Sequence, residues 1–176
     1  MKRNQGFFSG HDRGKIGLFL LSAILVSFLD QLSKSWIRDN PQPIEVLPGF
    51  LNFVYHEHRG AAFGLPVNHI FLIIVTVVIL IAIIFLLLRY LSLVTTLTII
   101  SAGLIFGGAV GNLTDRLRLS GYVIDFIHVH FGDLFHWYIF NLADAAITVG
   151  IFTLLYSLYR SGHLRKAYEH DGKPKN

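Results

Sequence analysis

Leu65–Leu88, LPVNHIFLIIVTVVILIAIIFLLL, holds no Asp, Glu, Lys or Arg, and Arg89 closes it. A helix needs about 20 mostly apolar residues to cross the roughly 30 Å hydrocarbon core of a bilayer. This one stretch meets that length unaided and makes the chain a membrane protein. Tyr90–Thr114, YLSLVTTLTIISAGLIFGGAVGNLT, is a second stretch free of those charges, and Asp115 ends it.

Composition agrees. The 176 residues are 53% hydrophobic and 15% charged, with a mean hydropathy of +0.55. A soluble domain carries about 25% charged residues. The length fits about one domain. The chain has no cysteine, so disulfides, thiolate nucleophiles and cysteine-held metals are excluded. The net charge of +4 comes from basic residues gathered at the two ends, which points to topology and not to a nucleic-acid partner.

Two shorter apolar stretches are more telling. Ile16–Leu29 and Ala145–Tyr159 run for only about 14 and 15 residues, too few to cross alone. The first must continue through Asp30 towards Lys34 and Trp36. The last must begin before Asp144, near Phe140. Each crossing therefore takes an aspartate into the membrane. Counted from Lys15 and Arg160 at 1.5 Å per residue, the two carboxylates sit roughly 22–24 Å from the basic side. In a core of about 30 Å that is about 6–8 Å below the opposite surface.

The expected architecture is an all-α membrane protein with four transmembrane helices, a small extracytoplasmic β-element and an interfacial loop. A single domain over 1–164 would contain spans near 16–37, 67–88, 92–113 and 140–160, with outward loops at 39–64 and 115–139. Residues 165–176 would form a polar cytoplasmic tail. Lys2, Arg3, Arg13 and Lys15 precede the first span, Arg89 follows the second, and Arg160, Arg165, Lys166, Lys173 and Lys175 follow the fourth. Lys and Arg mark the cytoplasmic side, so both termini are expected there. The first stretch has the length of a signal-peptide core, but Asp30-Gln31-Leu32-Ser33-Lys34 follows it without a small-x-small cleavage site, so a retained helix is expected.

In the first outward loop, Pro41, Pro43 and Pro48 precede Gly49-Phe50-Leu51-Asn52-Phe53-Val54-Tyr55, which reads as a strand after a turn. Gly60-Ala61-Ala62-Phe63-Gly64 ends it. The second loop carries Phe126, Ile127, Val129, Phe131, Leu134, Phe135 and Trp137 and suits the membrane interface.

A carboxylate in hydrocarbon is costly, so an intramembrane aspartate is a functional candidate. Lys34 lies one helical turn after Asp30 and can neutralise it, a structural reading of that pair. Asp144 has no such neighbour in its helix. Asp125 stands in the apolar run Val123-Ile124-Asp125-Phe126-Ile127 just beyond the third span. If that loop folds back on the fourth helix, Asp125 meets Asp144. Two adjacent carboxylates share one proton; one takes a proton from water while the other donates to a scissile carbonyl. Such chemistry needs no metal and no cofactor.

Other constellations carry less. His56-Glu57-His58 and His128-Val129-His130 are short clusters better read as interfacial or solvated histidines than as a zinc site. Gly103, Gly107 and Gly111 follow the small-xxx-small spacing of close helix packing. Ser33 and Ser35 share a helical turn with Lys34, poor geometry for a Ser–Lys dyad. A proton-coupled transporter would also place carboxylates in the membrane, but such folds carry repeats and more spans. A non-catalytic assembly factor is the third reading.

Five segments, in order, resemble those of the signal peptidase II family: Asp30-Gln31-x-Ser33-Lys34, Gly60-Ala61-Ala62-Phe63, Gly107-Gly108-Ala109-x-Gly111-Asn112-x-x-Asp115-Arg116, Val123-Ile124-Asp125-Phe126-Ile127 and Phe140-Asn141-x-Ala143-Asp144. The resemblance implies Asp125 and Asp144 as catalytic residues. It implies that Asp30, Lys34, Asn112, Arg116 and Asn141 line the site or bind substrate; Asp115, also in these segments, reads as structural, pairing within the Asn112–Arg116 turn. It also implies a monomeric enzyme of the bacterial inner membrane, in contact with membrane lipids, that cuts prolipoproteins before a diacylglyceryl-modified cysteine. The family usually has Asn two residues before the loop motif's glycine. Here that place holds His58, an expected substrate contact, which can donate a hydrogen bond as Asn can but is bulkier and can become charged.

Overall fold

A computed structural model of the chain describes residues 10–59, 67–132 and 134–162. Four helices dominate: α1 (Gly10–Asp39), α2 (His69–Tyr90), α3 (Thr96–Arg118) and α4 (Leu142–Arg160). All four are long and apolar enough to cross a membrane. Even α4, with 19 residues, extends about 28 Å at 1.5 Å per residue. The motif Gly60–Phe63 and the tail beyond Gly162 lie outside the described residues.

The helices run up, down, up, down. Asn68 caps α2, its side chain accepting the Ile70 N–H at 2.8 Å, and Thr95 caps α3 in the same way through Thr98 N–H. At the end of the bundle that carries Lys15 and Arg89, Phe19, Leu87, Leu91 and Ile99 are buried together, joining α1, α2 and α3. There Lys15 Nζ donates to the Leu91 carbonyl at 2.9 Å, satisfying a backbone acceptor at the end of α2.

The glycines of α3 set the spacing. A Cβ on Gly107 would come within 2.5 Å of the Ala23 carbonyl oxygen of α1. One on Gly108 would come equally near the Ala143 carbonyl oxygen of α4. The small residues thus let α3 pack backbone-close against α1 on one face and α4 on the other, as the sequence spacing indicates. Hydroxyls bind the contacts further: Ser27 Oγ to Gly107 O at 2.9 Å, and Ser101 Oγ to Thr153 Oγ1 at 2.8 Å.

A four-stranded antiparallel sheet caps the opposite end, in the order β1 (Ile44–Leu47), β2 (Leu51–His58), β3 (Val123–Phe131), β4 (Phe135–His136). β2 is the strand expected after the turn at Pro48; β1, which precedes that turn and was not foreseen, pairs with it in a hairpin that turns at Gly49 with φ +70°, a conformation that favours glycine. The segment between α3 and α4 is more ordered than an interfacial loop. Val123–Phe131 pairs with β2, with Leu51 opposite Val129 and His58 opposite Val123, and a register shift between Phe53 and His56. The physical reason is in its residues, since β-branched and aromatic side chains fit a pleated, half-buried surface.

Candidate active site

The site forms where the end of α3, the start of α4, β3 and the middle of α1 meet. Backbone pairing brings the first two acids there. Ile127 and Phe140 exchange hydrogen bonds at 2.8 and 3.1 Å, which fixes β3 beside the residue that precedes the α4 cap. Asn141 is that cap. Its side chain accepts the Asp144 N–H at 2.8 Å, and Asp144 Oδ2 accepts the Asn141 N–H at 3.3 Å, closing a capping box. Asp144 thereby gains the favourable position of an acid in a first helical turn.

Asn141 also reaches across to β3. Its Nδ2 donates to Asp125 Oδ1 at 2.6 Å, so one fully buried residue holds both carboxylates, Asp125 by its side chain and Asp144 by its backbone. The two acids are close enough to act on each other electrostatically. Asn112, on α3, donates from Nδ2 to Asp144 Oδ1 at 2.8 Å, while its Oδ1 accepts from Asn141 Nδ2 at 3.1 Å and from Lys34 Nζ at 2.9 Å. With both lone pairs of that oxygen occupied, the orientation of the amide is fixed.

Behind this layer lies a charged one. Lys34 Nζ contacts Asp30 Oδ2 at 2.8 Å and Asp115 Oδ2 at 2.9 Å, which with Asn112 uses all three of its donors. Asp30 and Lys34 are 0% and 2% exposed. The i, i+4 pairing seen in the sequence is therefore made, but as part of a larger cluster. Asp30 Oδ1 accepts the Ala143 N–H of α4 at 2.9 Å. Asp115 accepts from Gln31 Nε2 at 2.8 Å and from the Ile124 N–H at 3.2 Å. Its ionic partner is Lys34 of α1, a helix away from the Asn112–Arg116 turn where pairing was expected. Gln31 also donates to the Gly111 carbonyl at 3.1 Å; the sequence offered it only as part of the Asp30–Lys34 segment, with no role expected.

Arg116 stands half-buried within electrostatic range of Asp144, Asp115 and Asp125, and its Nε is buried without a partner among the described residues. His58 turns its Nε2 to Asp125 Oδ2 at 2.9 Å. That hydrogen bond raises the imidazole above its ordinary value, against the opposing effect of burial. Elsewhere in the sheet, the rings of His128, His130 and His136 lie nearly parallel, and His128 Nε2 and His136 Nδ1 share a hydrogen bond at 3.3 Å. Burial and its two histidine neighbours push His128 below its ordinary value.

Fold and site together define a polytopic membrane protein with a sealed ionic cluster inside the bundle and a pair of carboxylates above it, tied to one asparagine. The family profile described as Signal peptidase (SPase) II matches residues 22–160. The chain is 48% identical over 144 residues to a lipoprotein signal peptidase of Moorella thermoacetica, covering 80% of this chain and 91% of that one. It is 41% identical over 150 residues to a lipoprotein signal peptidase of Streptococcus pyogenes serotype M1, covering 81% and 93%. A bacterial membrane enzyme structure determined by the in meso method at 2.3 Å resolution superposes with a TM-score of 0.73 at 33% identity, over 92% of this chain and 94% of that one. A second, at 1.9 Å, gives 0.69 at 35% identity over 81% and 93%. The chain belongs to the signal peptidase II family, whose members are proteases of the aspartic type.

Proposed function

We propose that this protein removes the signal peptide from bacterial prolipoproteins, cutting before the diacylglyceryl-modified cysteine, with Asp125 and Asp144 as its catalytic pair. The observation that carries the proposal is the bridge through Asn141, whose Nδ2 and backbone N–H hold one carboxylate each. Two carboxylates so confined share a single proton. The ionised one takes a proton from water as the water oxygen attacks the scissile carbonyl carbon. The protonated one gives its proton to the carbonyl oxygen. Collapse of the resulting gem-diol breaks the C–N bond, with a proton passing to the leaving nitrogen.

The remaining residues have graded roles. Asn112 and Asn141 orient the acids directly. Asp30 and Lys34, sealed inside, act through Asn112 and the Ala143 N–H as positioning residues. Arg116, whose buried Nε has no partner among the described residues, is suited to bind a substrate carbonyl. The acids near the sheet end of the bundle suit a substrate anchored by lipid in the outer leaflet. Both termini belong on the cytoplasmic side of the inner membrane, by the Lys and Arg flanks, and the presence of both catalytic acids in one chain supports a monomer.

The test is cleavage of a diacylglyceryl-modified prolipoprotein in proteoliposomes. Asp125→Asn and Asp144→Asn each insert normally and fail to cleave. Full activity in either variant would remove the pair from the mechanism.

A further inference from the structure

The two carboxylates are not held alike. Asp144 is held by two amide donors, Asn112 Nδ2 and the Asn141 N–H. Asp125 is held by one amide donor, Asn141 Nδ2, and on its other oxygen by the His58 imidazole at 2.9 Å. An amide donates a hydrogen bond without charge, whereas an imidazole can donate it as a cation. His58 stands where the family usually has Asn, so the asymmetry comes from this chain's own sequence.

We propose that His58 is a positioning residue that clamps Asp125 as its imidazolium, so that Asp125 is the ionised member of the pair and Asp144 carries the shared proton. This deepens the catalytic reading above and rests on it. Two interacting acids cannot be given separate roles from proximity alone; a cation hydrogen-bonded to Asp125 breaks the symmetry, because Arg116 and Lys34 act on Asp144 only through space. Asp125 then takes the proton from water, and Asp144 donates its own to the carbonyl oxygen.

The charged neighbours favour the charged clamp, against the buried Nδ1 of His58, which has no hydrogen-bond partner among the described residues. Facing His58 are Asp125 on β3, Asp144 on α4 and Arg116 on α3, with the His56 ring parallel to it on its own strand at 6.4 Å. Two acids therefore oppose one guanidinium. The neighbouring cation, Arg59, lies instead over the Tyr122 ring at 4.3 Å. The net effect of this setting raises the imidazole, the Asp125 hydrogen bond being the largest cause. His58 is consequently charged in the acid range, where the pair is at risk of taking up a second proton. An adjacent cation opposes that uptake.

The pH–rate profile tests this. kcat/KM is measured for wild type, His58→Asn, His58→Gln and His58→Ala in proteoliposomes with a lipid-modified prolipopeptide, from acid to neutral pH. Asn and Gln keep a hydrogen-bond donor and remove the charge; Ala removes both. The expected result is that the acid limb of all three variants moves upward by about one pH unit, a loss of about tenfold at a pH below the limb. If His58 acts only as a hydrogen-bond donor, His58→Asn will superpose on the wild-type limb while His58→Ala loses activity at every pH, and the proposal fails. Loss of cleavage at all pH values in both His58→Asn and His58→Gln also overturns it, because a charge that only locates a proton is not essential to the reaction. Activity in Asp125→Asn or Asp144→Asn would instead sink the acid-pair reading itself, a separate outcome.

Discussion

Lys34→Met is the substitution whose cost the structure fixes most clearly. One ammonium serves two carboxylates, Asp30 at 2.8 Å and Asp115 at 2.9 Å, whose side chains are 0% and 5% exposed. Met keeps the volume and loses the charge, leaving two acids facing an apolar side chain. Breaking a buried pair by removing one partner costs about 3–5 kcal/mol. Gln31 remains as a neutral donor to both acids, at 3.3 and 2.8 Å, which places the loss towards the lower end of that range. Reversible unfolding in mixed detergent micelles reads the cost. The signal comes from Trp36 and Trp137, the two tryptophans in the chain. Adding Asp30→Asn and Asp115→Asn to Lys34→Met restores much of the lost stability, since the penalty lies in uncompensated charge. A Lys34→Met protein within about 1 kcal/mol of wild type, the worth of an exposed pair, would refute the claim that this cluster is a sealed ionic unit.

Three further outcomes follow from named contacts. Gly111→Ala places a Cβ 2.5 Å from Asp30 Oδ2, so the ionic cluster must shift. The expected cost is about 1–3 kcal/mol by the same unfolding assay, together with a fall in kcat. Asn141→Ala removes the α4 cap and the donors to Asp125 and Asn112; the cap alone is worth about 1 kcal/mol, and kcat should fall far more than KM rises. Tyr55, burdened first by burial and then by its hydrogen bond to Glu57, is pushed up to about 12. Its phenolate absorbance therefore appears late in an alkaline titration, and Glu57→Gln shifts that midpoint downward.

What the sequence disclosed and what it withheld divide along physical lines. Apolar stretches too short to cross pointed to Asp30 and Asp144 because bilayer thickness sets a length that composition alone can test. The glycine spacing of α3 was readable because helical period fixes which residues share a face. The link from Asp30 to the Ala143 N–H spans 113 positions, and no local pattern encodes it. The same holds for Lys34 and Asp115, which meet across two helices while the sequence suggested a partner within one turn. The extent of β3 was missed because its aromatic residues suit both a membrane interface and a buried strand, and only pairing with β2 decides. Asn141-x-x-Asp144 has the spacing of a capping box, a local signal that accounts for the cap but says nothing of the reach to Asp125. His58 was visible as a departure from the family's Asn, yet its turn towards Asp125 depends on strand register.

The central claim is that Asp125 and Asp144 work as one unit holding one proton. It is tested by comparing single-turnover cleavage rates of Asp125→Asn, Asp144→Asn and the double variant on one diacylglyceryl-modified substrate in proteoliposomes. Residues that act as a unit are grossly non-additive, so each single variant should fall to the same floor as the double. Partial rates in the singles that multiply to give the double would mean the two carboxylates act independently, and would contradict the account.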